Sequence, residues 1–294
     1  MPLSSAADTI AFRERLLGKE VLIGLLVKMP SPALVELAGY VGFDFVIIDT
    51  EHGSHGADSL ENHLRAADAV SVPALVRVSS LDNGAIGRVL DAGAAGVIIP
   101  HVSSTQVAER AVLAAHYPPT GVRGLATSTR AGHHSTVTST EHVRRSSQST
   151  IVVAQIEEAE AVPHAADIAD VPHLDCVWIG PNDLSMSMNL PRGHPEVKKA
   201  EESIMRSVRE SGRAALGVLA EGPKDAAAQV RSGATVVIFA APAVLATSLS
   251  RLSNEVRLAV ADIAPVPSPF GDSDHPLNSA NGFSVATVEQ QEPE

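Results

Sequence analysis

The residues best suited to chemistry fall at the ends of apolar runs. FDFVIIDTEHG, Phe43 to Gly53, stops abruptly in Asp49, Glu51 and His52. Arg77 lies near the end of PALVRV, Gln155 and Glu157 end IVVAQIE, and Asp183 follows DCVWIG in GPNDLS. An imidazole moves protons near neutral pH, and a guanidinium steadies a developing anion. Each residue also has a plain structural use. Asp183 could cap a helix, Glu157 could favour a helix start, Arg77 could pair with a carboxylate, and His52 could be a satisfied loop histidine. Gathered in one place, however, the carboxylates repel one another unless a cation joins them. A divalent metal held by Glu157 and Asp183 resolves that repulsion. Two oxygen ligands leave room for water and substrate, which suits Mg²⁺ or Mn²⁺ best and leaves Co²⁺ or Zn²⁺ as further candidates. Such an open metal would act as a Lewis acid on a chelating substrate.

The elements that must bring these residues together are regular. Eight short apolar runs recur: 21–27, 44–49, 73–78, 96–102, 151–157, 175–180, 214–220 and 235–241. Segments with apolar residues at i, i+3 and i+4 lie between them. Strands that read as continuous apolar runs are buried on both faces, as in a parallel sheet. Eight strand–helix units predict a (β/α)8 TIM barrel, whose chemistry sits at the C-terminal ends of the strands. A doubly wound Rossmann-like sheet would want G-x-G-x-x-G after the first strand, and VLIGLLVKMPSP lacks it.

The barrel is expected over residues 1–262, with 263–294, rich in Pro, Ser, Asn and acids, as a disordered tail. Residues 118–149 read as a long polar connection between the fourth and fifth strands. In that connection His133 and His134 read as solvated. The chain's 294 residues carry a net charge of −12 and only 3% aromatics, which argues against a nucleic-acid partner. No apolar stretch reaches about 18 residues, so no membrane span is expected. The N-terminus lacks the pattern of a secretion signal. From these features a soluble, cytoplasmic protein is expected. The single cysteine, Cys176, sits in an apolar run and reads as a buried structural thiol.

Read together, VKMPSPALVELAGYVGFDFVIIDTEHG, VRV, LDAGAAGVIIPHV, GVRG, AQIEEAEAV and WIGPNDLS resemble the HpcH/HpaI aldolases, metal-dependent (class II) pyruvate aldolases, from Phe12 to Val260. The resemblance implies a barrel of the pyruvate type that cleaves or forms 4-hydroxy-2-oxo acids from pyruvate and an aldehyde. It implies that Glu157 and Asp183 bind the metal, which the keto and carboxylate oxygens of pyruvate chelate. Arg77 would face the keto oxygen, and Gln155, Gly180, Pro181 and Asn182 would line the substrate. His52, with Asp49, would serve proton transfer around a metal-bound water. Asp91 would reach a neighbouring subunit's site. Such enzymes are commonly homohexamers, trimers of dimers with exchanged C-terminal helices. Departures at IGLLV, GHHSTVTSTEHV and FAAPAV leave the aldehyde open. The same site would also serve oxaloacetate decarboxylation or macrophomate-synthase-like capture of the enolate. A Schiff-base aldolase would need a buried strand lysine. The only lysines are Lys19, Lys28, Lys198, Lys199 and Lys224, and only Lys28 lies near a strand end.

Overall fold

The computed structural model describes residues 6–260. All eight expected strands form: β1 (Leu22–Val27), β2 (Phe45–Asp49), β3 (Ala74–Arg77), β4 (Gly96–Ile99), β5 (Ile151–Ile156), β6 (Cys176–Ile179), β7 (Ala215–Leu219) and β8 (Val236–Ala240). They pair in parallel and in sequence order into a closed barrel, β8 returning to β1 through Leu22↔Val236. Closure removes every sheet edge.

Side chains alternate across the barrel wall. One set faces the surrounding helices and includes Val46, Ile48, Val76, Val97, Ile99, Val152, Ala154 and Ile156. The other fills the interior: Phe45 and Ile47 from β2, Leu75 from β3, Ile98 from β4, Val153 from β5, Cys176 and Trp178 from β6, Val236 and Ile238 from β8. Strand period two then sends the next inward residues to the C-terminal rim, and these are Asp49, Arg77 and Gln155. Gly24 makes the filling possible, since a Cβ there would lie 2.2 Å from Phe45 Cζ.

Three segments differ from the sequence reading. A helix at Ala6–Leu17, not anticipated, buries Phe12 and Leu16 in the interior cluster. Phe12 packs on Phe45 with ring centroids 5.3 Å apart, which closes the N-terminal end of the barrel. The expected loop 118–149 ends in a helix, Ser139–Ser149. Its apolar content is low, but Thr138 caps it by accepting from the Glu141 amide, and Glu141 pairs with Arg144 and Arg145 one turn on. The helix expected after β5 begins as a 3-10 turn, Ala159–His164, because Pro163 cannot donate an α-helical bond.

The chain divides into two compact units, through Leu245 and from Ala246, with the barrel in the first. The expected last helix forms as Ala241–Val260 and runs across that division. The predicted tail from 263 lies outside the described residues. Among the described residues no helix is long and apolar enough to cross a membrane.

Candidate active site

Register builds the core of the site. β2 and β3 pair Asp49 with Arg77 as direct neighbours at the barrel rim. The guanidinium grips the carboxylate with two bonds, Nε to Oδ1 at 3.0 Å and Nη2 to Oδ2 at 2.5 Å. Such a fork fixes position as well as charge. Nη1 donates to Gln155 Oε1 at 3.3 Å and lies 3.1 Å from Glu51 Oε2. The guanidinium carbon also stands 5.4 Å from the centre of the Trp178 ring. Burial works to raise the Asp49 carboxyl, but Arg77, bonded to it and charged, holds it below the usual range. Asp49 therefore stays ionised.

Glu157 follows β5 and is 1% exposed. Both its oxygens accept hydrogen bonds, Oε1 from the His101 amide at 2.9 Å and Oε2 from Gln155 Nε2. Burial pushes its carboxyl up to about 7 against the pull of His101, and the charges of Asp183 and Glu51 add to the rise. A carboxylate buried among other carboxylates is short of positive charge. Asp183 stands half-buried in the first turn of the helix Pro181–Ser187. Gly180 precedes it, and a Cβ there would lie 2.4 Å from Glu157 Oε2 and 2.7 Å from Gln155 Nε2. Only glycine lets that turn close over the acid. Pro181 sets the first helical residue and Asn182 is exposed beside it.

His52 is at the rim, its side chain 52% exposed. Its relation to Asp49 differs from expectation. Asp49 accepts from the amides of Glu51 and His52 at 3.1 and 3.2 Å, which shapes the turn, while its oxygens are committed to Arg77. The His52 ring instead has Nε2 3.7 Å from Glu51 Oε2. Asp91 lies elsewhere, as a residue expected to serve a neighbouring subunit would. It ends the helix Asn83–Asp91, just before β4, at the opposite end of the barrel, and pairs with Arg123 at 2.7 Å. It does not enter the mouth of its own chain.

Two residues of the mouth carry more than the sequence reading gave them. Glu51, given no catalytic role in the sequence reading, is nearly buried and brings Oε2 inward without a hydrogen bond, although Arg77 is close. His101, not singled out, follows β4 with its ring over the mouth. Nδ1 is 3.4 Å from Glu157 Oε1 and 3.3 Å from Glu158 Oε1, and Nε2 is 3.4 Å from Glu51 Oε1. One atom each from Glu51, His101 and Glu157 could share a metal, all lying within 4.8 Å of one another. The rule that flagged the ends of the second, third, fifth and sixth strands, applied to GVIIPHV, would have found His101. The donor set fits a divalent cation: carboxylates in excess, one orphaned buried oxygen, and an imidazole within reach of both Glu51 and Glu157.

The mouth can thus steady an anion beside a cation-binding group of acids and move a proton at its rim. Comparison with known proteins gives the family. The profile of the HpcH/HpaI aldolase/citrate lyase family matches residues 22–245. A 5-keto-4-deoxy-D-glucarate aldolase of Shigella boydii is 32% identical over 77% of this chain and 88% of its own. A 2-keto-3-deoxy-L-rhamnonate aldolase of Escherichia coli K12 is 34% identical over 77% and 85%. A crystal structure of a HpcH/HpaI aldolase/citrate lyase family protein from Burkholderia cenocepacia superposes with a TM-score of 0.78 at 29% identity, over 84% of this chain and 99% of that one.

Proposed function

The chain belongs to the HpcH/HpaI aldolase/citrate lyase family, and from that premise we propose that it is a divalent-metal-dependent aldolase joining and parting pyruvate and an aldehyde. The observation that carries this reading is the Arg77 fork. A guanidinium held in place by Asp49 and Gln155 stands in a mouth that also gathers Glu157, Glu51 and Asp183.

Glu157 and Asp183 would hold the metal, Mg²⁺ or Mn²⁺ in the first instance. When bound, the ion would supply positive charge that polarises the keto group and offsets the charge of the enolate. The protein's own residues do the rest. Cleaving the bond between C3 and C4 of a 4-hydroxy-2-oxo acid leaves negative charge on the C2 oxygen, and Arg77 stabilises it there. Asp49 and Gln155 keep Arg77 from turning away, so little reorganisation is needed as charge develops. Glu157 stays an acceptor because both neighbours donate to it. Gly180 lets the backbone close against Glu157, and with Pro181 and Asn182 it would line the substrate. His52, at the rim and beside Glu51, accepts the proton of the C4 hydroxyl in cleavage and returns it in synthesis. The two named relatives act on keto-deoxy sugar acids, which supports a polyhydroxylated aldehyde as partner. Their activities also favour aldol chemistry over decarboxylation. Asp91 serves a neighbouring subunit, which makes the working unit a homo-oligomer, a hexamer by family likeness.

The test is enolate formation without any aldehyde. Metal-loaded protein with pyruvate in D₂O is expected to lose the methyl proton signal in NMR. EDTA, Glu157→Gln and Arg77→Ala should each stop the exchange. No exchange by a folded, metal-loaded oligomer would overturn the pyruvate reading and direct the search to larger 2-oxo acids.

A further inference from the structure

One group in the mouth has no part in the chemistry above. His101 takes a left-handed backbone conformation, φ 55°, uncommon for a residue with a side chain. Its amide donates to Glu157 Oε1 at 2.9 Å, so the turn is tied to that carboxylate. The same turn swings the ring until Nδ1 stands 3.4 Å from Glu157 Oε1. Neighbouring ligand atoms on an octahedral ion with bonds of about 2.1 Å are about 3 Å apart, so a few tenths of an ångström would bring both onto one cation. Behind the ring, Glu51 Oε1 lies 3.4 Å from Nε2. An acceptor at that nitrogen keeps the proton on Nε2 and leaves the Nδ1 lone pair facing Glu157, the arrangement that carboxylates give to metal-bound histidines. Glu51 is itself held from the other side by Arg77 at 3.1 Å, and its Oε2 is buried without a hydrogen bond. A surface ion pair would need neither the strained turn nor the buried acid behind it.

We propose that His101 is a third protein ligand, giving Nδ1 to the cation held by Glu157 and Asp183, with Glu51 fixing the ring through Nε2. The proposal rests on the reading that Glu157 and Asp183 bind a metal. An imidazole nitrogen among oxygen ligands shifts preference away from Mg²⁺ and toward Co²⁺, Zn²⁺ and Mn²⁺, for which nitrogen is a better donor. It also removes one open position, so the substrate's two oxygens meet a more restricted ion. Glu158, whose Oε1 is 3.3 Å from the same nitrogen, adds negative charge at the outer side of the ring.

The experiment uses the metal-stripped full chain loaded with one equivalent of Mn²⁺ and read by pulsed EPR. The wild type is expected to show the nitrogen coupling of a directly bound imidazole. Labelling histidine with ¹⁵N should change that signal without any substitution. The signal should vanish in His101→Asn and persist in His52→Asn. In parallel, chelator competition should show Co²⁺ affinity falling on the order of 10-fold or more in His101→Asn, with Mg²⁺ affinity changed by less than about 3-fold. Mn²⁺ binding that depends on Glu157 but shows no imidazole coupling overturns the ligand proposal and leaves the metal reading standing. Coupling that survives in His101→Asn overturns it as well. Mn²⁺ that binds equally well to Glu157→Gln and Asp183→Asn, or not at all to the wild type, overturns the metal reading and this proposal with it.

Discussion

Replacing Glu157 by Gln should make the metal-free protein more stable and the site useless. The carboxyl is raised from 4.5 to about 7, first by burial and then by nearby acids. A pKa unit is worth about 1.4 kcal/mol, so holding the group ionised at alkaline pH costs about 3 kcal/mol. A group raised on folding lends its stability below its unfolded pKa and loses it as pH rises through the folded value. Between about pH 5.5 and 8.5 that loss amounts to about 2 kcal/mol. The amide introduced by Glu157→Gln would not titrate, yet its fit is imperfect. Arg77 donates to Gln155 Oε1, which turns Gln155 Nε2 toward Glu157 Oε2, and the His101 amide donates to Oε1. A glutamine must place its NH₂ against one of those donors, a mismatch of about 1–2 kcal/mol. The net gain at pH 8.5 is then about 1–2 kcal/mol, shrinking to nothing or reversing near pH 5.5. Urea unfolding in EDTA across this pH range measures both chains. Saturating Mn²⁺ should reverse the order at pH 8.5, since about 100-fold excess over Kd stabilises the wild type alone by about 2.7 kcal/mol. Parallel pH profiles in EDTA would refute the argument that Glu157 is a buried anion in need of a cation.

Arg77→Lys keeps the charge but loses the fork on Asp49, so methyl exchange from pyruvate should fall by about 100-fold or more. The imperfectly paired buried Asp49 should also cost about 3 kcal/mol in urea unfolding. Gly180→Ala puts a methyl group 2.4 Å from Glu157 Oε2; calorimetry should show metal affinity lost, with stability down by about 1–3 kcal/mol. Unchanged affinity there would separate Glu157 from the metal. Phe12→Ala should lower stability by about 3–5 kcal/mol through the cavity left at the closed end of the barrel. Its turnover per folded molecule, measured well below the unfolding temperature, should stay that of the wild type.

The fold was largely legible because a parallel barrel buries its strands on both faces, and such strands cannot hide. VLIGLLV and TVVIFAA bound a set of eight runs with the same character, and each became a strand. What escaped were elements whose stability does not come from an apolar stripe. STEHVRRSSQS reads as a loop because its helix is held by a cap, three ion-paired side chains and the inward His142 and Ser146. The site was legible to the depth of strand period. Asp49, Arg77 and Gln155 lie where alternation sends them. Partners across strands were not legible: that Asp49 faces Arg77 and not the nearby His52 ring depends on register between β2 and β3. The strand-end rule reaches His101 in GVIIPHV, but the left-handed turn that brings its ring to Glu157 is encoded by no spacing rule.

The helix Ala6–Leu17 closes the barrel with Phe12 and Leu16, and their seat draws on Leu22, Phe45, Ile98, Cys176 and Val236 together. A segment made before any strand therefore has nowhere to rest until the last strand is made. During synthesis two large apolar side chains wait in solvent for a socket that more than two hundred later residues must finish. Closure of β8 on β1 both completes the wall and supplies the stopper's last contacts, so ring and stopper mature in one event. A chain lacking β8 would leave Phe12 and Leu16 without part of their seat and so would expose apolar surface until the barrel closes.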